Sequence, residues 1–228
     1  METTDRTPVL VLGDSHATVF SSDEMVRAFP AYAFTVQAVG GATVSGLQNP
    51  NNVTQSMPVF RQALSTTDAR LVIVLLGEVD TGFVIWHRAQ RHGASVEDML
   101  GQALTSYRTF LDEVALIAPP ICVSAPLPTI PDNCLWGEVA NARREVTATQ
   151  AERTVLTRRF NRAMESFCVA RGYGSIMLDD MSQGPGGVVR HELLNADPAD
   201  HHYATGAYVE MLRPRLSRVL PQQSPDVS

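Results

Sequence analysis

Apolar residues fall along this chain in two rhythms. Val9-Leu10-Val11-Leu12 and Leu71 to Leu76 are unbroken apolar runs, the signature of strands buried on both faces of a parallel sheet. Ala33 to Val39 alternates apolar and polar positions, and Ile121 to Ser124 and Ser175 to Leu178 are two further short strand-like runs. Between them the apolar spacing turns helical: Thr18 to Phe29, Met57 to Ser65, Val96 to Ala118, Glu138 to Arg171, and Thr205 to Leu220 with an interruption at Pro214. Pro30, Pro119-Pro120 and Gly172 supply the stops. Strand and helix alternate about five times, which predicts an α/β fold. The expected architecture is a three-layer α/β/α sandwich around a parallel, flavodoxin-like five-stranded sheet. No linker or repeat divides the chain, so residues 1–228 are expected to form a single domain.

Composition adds constraints rather than detail. At 228 residues, 44% hydrophobic and 18% charged, the chain is long enough to bury a core without disulfide staples. Cys122, Cys134 and Cys168 form no CxxC pair and match neither a disulfide framework nor a zinc pattern. A net charge of -6 argues against nucleic acid as a partner. The polar N-terminus is followed by no apolar run of signal-peptide or membrane length, so a cytoplasmic location without membrane association is expected. The sequence is silent on oligomeric state.

The chemistry gathers where strands should end. Val9 to Leu12 runs into Gly13-Asp14-Ser15-His16, which leaves Ser15 at a strand's carboxyl end, where open α/β sheets bind ligands. Ser15 there is either a nucleophile or, with Asp14, simply a cap for the next helix. The second strand stops at Gly40-Gly41, the third at Gly77-Glu78-Val79-Asp80, and a late cluster reads Asp197-Pro198-Ala199-Asp200-His201-His202. Ala125 to Pro131 is a rigid proline-rich loop expected at the same sheet edge as Ser15.

In order and spacing, these four blocks resemble the SGNH/GDSL hydrolase superfamily over nearly the whole chain. The resemblance implies a Ser15 nucleophile, a base and an orienting carboxylate in the late cluster, and an oxyanion hole built near Gly41 and the third block. Asp14, Gly41, Gly77, Glu78 and Asp80 are the residues expected around the oxyanion and the substrate. Two blocks depart from the pattern. The family's Gly-x-Asn-Asp reads Gly77-Glu78-Val79-Asp80, so Val79 stands where a side-chain donor is expected. In the late block Asp197 lies four residues before His201, and Asp200 two before His202. Either histidine fits as base; the spacing of Gly206 favours His201 with Asp197.

A histidine can take the serine proton near neutrality, and an aspartate on its other nitrogen fixes the tautomer. The implied reaction cleaves a small-molecule acyl ester through a Ser15 acyl-enzyme, without organic cofactor or metal. Transfer of the acyl group to an alcohol and a catalytically inactive binding module are the rival readings. The acidic and histidine pairs Asp197, Asp200, His201 and His202 lack a third cluster at ligand spacing, which argues against a metal site. Trp86, His87, Arg88, Arg91 and His92 form either a cleft wall or a solvated helix face, and Phe83 to Trp86 either a pocket wall or core. Trp136, Arg143 and Arg144 read as a lid or as a surface helix.

Overall fold

The computed structural model describes residues 6–132 and 145–220. Five strands, β1 (Thr7–Gly13), β2 (Tyr32–Ala38), β3 (Val72–Leu75), β4 (Pro120–Val123) and β5 (Gly174–Ile176), make one sheet. Its order is β2-β1-β3-β4-β5 and every pairing is parallel, the flavodoxin-like arrangement expected. The apolar runs explain the layers. Leu10, Leu12, Val72 and Val74 face one side and pack with Phe60, Tyr107, Phe110 and Phe160. Val9, Val11, Ile73 and Leu75 face the other and pack with Phe20, Met25, Leu212 and Leu216. A strand whose successive residues are all buried must be covered on both sides, and here it is.

The helices are α1 (Asp23–Ala28), α2 (Ser56–Thr66), α3 (Ile85–His92), α4 (Val96–Ala115), α5 (Gln150–Arg171), α6 (Asp179–Ser182) and α7 (Thr205–Val219). Helices α2, α4 and α5 cover the first face, and α1 and α7 the second. The outcome is a three-layer α/β/α sandwich. Cys122 and Cys168 are buried free thiols, while Cys134 lies outside the described residues.

Three expected helices differ in detail. The stretch after Ser15 starts as a 3-10 turn over Ser15–Ser21, and α1 begins only at Asp23, because Ser22 Oγ caps it by accepting the Met25 N–H at 3.1 Å. Helix α5 begins at Gln150 rather than Glu138. Thr149 and Glu152 form a reciprocal capping box there, with the Glu152 carboxylate accepting the Thr149 N–H at 2.8 Å. Residues 138–144 lie outside the described part, as do Trp136, Arg143 and Arg144. Helix α7 continues through Pro214 instead of breaking. The ring removes one backbone bond, but Leu212 and Leu216, both fully buried, hold the helix to the sheet on either side of it.

Candidate active site

The first block is a turn with no room in it. A side chain at Gly13 would strike the Leu75 carbonyl and the Ala17 Cβ, so only glycine lets β1 end this close to its neighbours. Asp14 then caps the 3-10 turn: its Oδ1 accepts the His16 N–H at 2.9 Å. Capping therefore falls to Asp14, and the Ser15 side chain is left out of it. Ser15 itself is half-buried, between a fully buried Asp14 and a His16 that is 3% exposed. The Ser15 carbonyl accepts the Thr18 hydroxyl at 2.7 Å, which fixes the turn's backbone.

The second and third blocks are tied to each other. Gly41 opens the loop after β2 with φ +70°, and the loop turns through Val44–Gly46. Asp80, fully buried, accepts the Val44 N–H at 2.7 Å through one carboxylate oxygen and the Ser45 N–H at 3.1 Å through the other. Asp80 therefore clamps the Gly41 loop onto the third block. Gly77 takes φ +118°, and a side chain there would run into the Phe160 ring, which is why the third block opens on glycine. Asp80 starts a π-helical turn over Asp80–Val84 that leads into α3. Thr81 pins this turn, donating to the Gly77 carbonyl at 3.0 Å and receiving Thr157 Oγ1 at 2.8 Å. Val79 stands at the turn's entry with helical dihedrals. Glu78 points elsewhere: it is buried, with Oε2 3.6 Å from His16 Nε2.

The late block is a loop tied at its neck. Leu194 bridges to Tyr203, and the Ala204 N–H donates to the Leu193 carbonyl at 2.9 Å. Inside it the Asp200 Oδ1 accepts the His202 N–H at 2.9 Å and lies 2.6 Å from His202 Nδ1, while Asn195 Nδ2 donates to Asp200 Oδ2 at 2.8 Å. His202 Nε2 is buried and has no hydrogen-bond partner among the described residues. Asp197 is exposed, and its carboxylate accepts the Ala199 N–H at 2.9 Å in a local turn. In this block the Asp200 carboxylate, rather than the exposed Asp197, sits within hydrogen-bond distance of the His202 ring.

The proline-rich loop holds this block in place. Thr129 Oγ1 donates to the His201 carbonyl at 2.6 Å, and the Tyr203 hydroxyl accepts the Leu127 N–H at 2.7 Å. Asn161 pins the loop's start from α5, bonding both backbone groups of Ala125 at 2.9 and 3.0 Å. Thr129, Tyr203 and Asn161 escaped the sequence reading, because their role depends on partners far away in the chain. His16 escaped it too. Its ring meets the His202 ring at a centroid distance of 4.6 Å and the His201 ring at 5.4 Å, while His201 and His202 lie 4.1 Å apart. The late histidines and the Ser15 turn thus converge on the same sheet edge.

Electrostatics divide the acids in this region. Burial pushes the Asp14 carboxyl up to about 7; His16 opposes the rise, and Glu78 and Asp80 add to it. Asp80 is also raised by burial, against its bonds to the Ser45 and Val44 groups. Asp200 goes the other way. Burial raises it, but the His202 N–H and imidazole more than reverse this, leaving it lowered. His202 is lowered by burial and by His16, against the pull of Asp200.

The segment after the third block is an amphipathic helix. Ile85 and Ala89 are buried, Trp86 packs on the core with its Nε1 donating to the Thr81 carbonyl at 2.8 Å, and Arg91 and His92 are exposed. His87 stacks on Phe83 at 5.2 Å and lies 3.6 Å from Glu145. Among the described residues no helix is long and apolar enough to cross a membrane.

No protein-family model matches the sequence, and no curated protein matches it. Solved structures do. A GDSL-like lipase from Bacteroides thetaiotaomicron superposes with a TM-score of 0.58 at 13% identity, covering 93% of this chain and 86% of that one. A carbohydrate acetylesterase from Sinorhizobium meliloti gives 0.58 at 13% identity, over 94% of this chain and all of its own. An extracellular lipase from Streptomyces rimosus gives 0.53 at 13% identity, over 92% and 99%. The chain has the fold of the SGNH/GDSL hydrolases.

Proposed function

We propose that the protein is a serine hydrolase of the SGNH type that cleaves a small-molecule acyl ester. One observation carries the reading: Asp200 holds His202 by Nδ1, leaves Nε2 over, and the ring lies against His16, the residue that follows Ser15. That is the arrangement a general base needs, with a carboxylate setting the tautomer and a lone pair available for a proton.

In the proposed reaction His202 Nε2 takes the Ser15 hydroxyl proton as Oγ bonds to the ester carbonyl carbon. The backbone N–H groups of Ser15 and Gly41 receive the oxyanion that forms. Collapse breaks the ester bond, and the alcohol leaves with the proton carried by His202. A water molecule, deprotonated by the same imidazole, then frees the acid and restores Ser15. Asp200 keeps its charge throughout and stabilises the imidazolium, which its lowered pKa favours. Asp80 acts at one remove, since the loop carrying Gly41 depends on its two bonds to Val44 and Ser45.

A fluorophosphonate probe tests the reading. It should label the purified protein once and fail to label Ser15→Ala, which should also lose hydrolysis of short p-nitrophenyl esters while keeping its fold. Labelling that survives the substitution, or an intact turnover, overturns it.

A further inference from the structure

The structure assigns a second role to the histidines of this edge: we propose that His16, His201 and His202 form a site for a zinc-class divalent transition-metal ion that reversibly switches the hydrolase off. Each of the three offers a ring nitrogen, and these nitrogens all lie within 4.8 Å of one another. Three imidazoles about a tetrahedral ion bind at roughly 2.0–2.1 Å, which sets their nitrogens about 3.4 Å apart. Small rotations of three side chains close the difference. His16 comes from the β1 turn and the other two from the late loop, so the set is assembled only by folding. This is why no ligand spacing appears along the sequence.

The surroundings suit a dication. Imidazole is a ligand of choice for zinc, copper and nickel and a poor one for magnesium or calcium. A metal-bound histidine ordinarily donates its other ring N–H to a carboxylate, and Asp200 already takes His202 Nδ1 at 2.6 Å. Glu78 Oε2, 3.6 Å from His16 Nε2, supplies a second carboxylate beside the cluster. A +2 charge held by the three rings would therefore have the Asp200 and Glu78 carboxylates beside it.

The regulatory part rests on the hydrolase reading. The His202 Nε2 lone pair can bond to a metal or accept the Ser15 proton, and not both at once. Coordination forms a metal–nitrogen bond, releases water from the ion and leaves Ser15 without its base. Inhibition should thus be reversible and should leave the serine intact.

The test uses the full chain, stripped with a chelator and titrated with zinc or cobalt(II). One ion per chain should bind, and bound cobalt should give the intense visible absorption of a tetrahedral site. Zinc should suppress ester hydrolysis over the same concentration range, and chelator should restore it. His16→Asn and His201→Gln should each weaken zinc binding by about 10-fold or more, and the inhibition with it, each variant measured against its own zinc-free rate. Using two variants protects the result against one that misfolds. No stoichiometric binding, equal zinc affinity in both folded variants, or stimulation by zinc overturns the site. If cobalt binds as expected but no chain hydrolyses esters, the metal site stands and the hydrolase reading is what fails.

Discussion

Two turns in this protein share one backbone device and put it to opposite electrostatic ends. In Asp14-Ser15-His16 and in Asp200-His201-His202 the aspartate Oδ1 accepts the N–H of the histidine two residues on, at 2.9 Å in both. The first turn is sealed under the sheet edge. Asp14 is fully buried, its Oδ2 has no hydrogen-bond partner among the described residues, and burial pushes its carboxyl up to about 7. The second is half open. Asp200 also holds the His202 ring and an Asn195 amide, and its carboxyl is lowered despite burial. The same local geometry thus leaves one carboxyl ready to hold a proton and the other committed to a charge. Placement in the fold, not the turn itself, decides which.

The largest effect expected from breaking this contrast is at His202. His202→Ala should lower turnover by about 10²-fold or more, the usual scale for a lost general base. His201→Ala in the zinc-free enzyme should lose little, because the Asp200 carboxylate, 2.6 Å from His202 Nδ1, orients His202 as the base. Steady-state rates for the two single variants decide the matter, and a severe loss at His201 with a mild one at His202 would reverse the assignment.

Asp200→Asn comes next and carries a signature that a structural role would not. His202 must be neutral to accept a proton, so activity falls as pH drops through its pKa. Burial and His16 hold that pKa below its ordinary value, near 6.5, so the acid limb of the wild-type profile should lie below 6.5. Asp200 pulls the other way. Removing its charge should move the limb lower still, while the plateau falls with the loss of tautomer control. A plateau that drops with no movement of the limb would make Asp200 only a loop brace.

The legibility of these two turns in the sequence differs for a physical reason. The Ser15 turn follows an apolar run whose burial on both faces fixes its place at the sheet edge, so Val9 to Gly13 announce it. Close approach reads most readily at Gly40-Gly41, but a side chain there would meet little. The tight points are Gly13 against Leu75 and Ala17 and Gly77 against Phe160, set mostly by residues far along the chain. The late loop is set instead by bonds from distant residues, with Thr129 on the His201 carbonyl and the Tyr203 hydroxyl on Leu127. Spacing along the chain favours His201 through Gly206, but the neck at Leu194 and Tyr203 and the short Asp200 turn present His202 to the carboxylate. The Thr149 to Glu152 capping box was visible in the letters and marks where α5 starts, a local signal outweighed by a longer helical pattern.

Val79→Asn sharpens the third block with a smaller effect. Val79 has helical dihedrals at the entry of the π turn, which asparagine accepts without strain. A side-chain donor restored there should leave kcat/KM unchanged or raise it by up to about 10-fold, well short of the roughly 10²-fold or more that an established donor is worth, since the turn was not built around it. Kinetics on short esters measure it. A many-fold loss in a folded variant would show that Val79 packs against substrate or a neighbour, and that the donor belongs elsewhere.

The last test is on stability, and it probes the sealed turn directly. The Asp14 carboxyl titrates at about 7 when folded against an ordinary 3.8. Between those values the folded chain keeps a proton that the unfolded chain has lost. Stability therefore falls as pH rises from about 4 to about 7 and is level above that. Asparagine keeps the Oδ1 acceptor for the His16 N–H and cannot ionise, so Asp14→Asn lacks this slope. The variant should gain on the wild type as pH rises, by a Tm difference that is larger at about pH 8 than at about pH 5. Thermal unfolding of both proteins at the two pH values measures it. Parallel curves would mean that Asp14 ionises like Asp200, and the electrostatic contrast between the two turns would be gone.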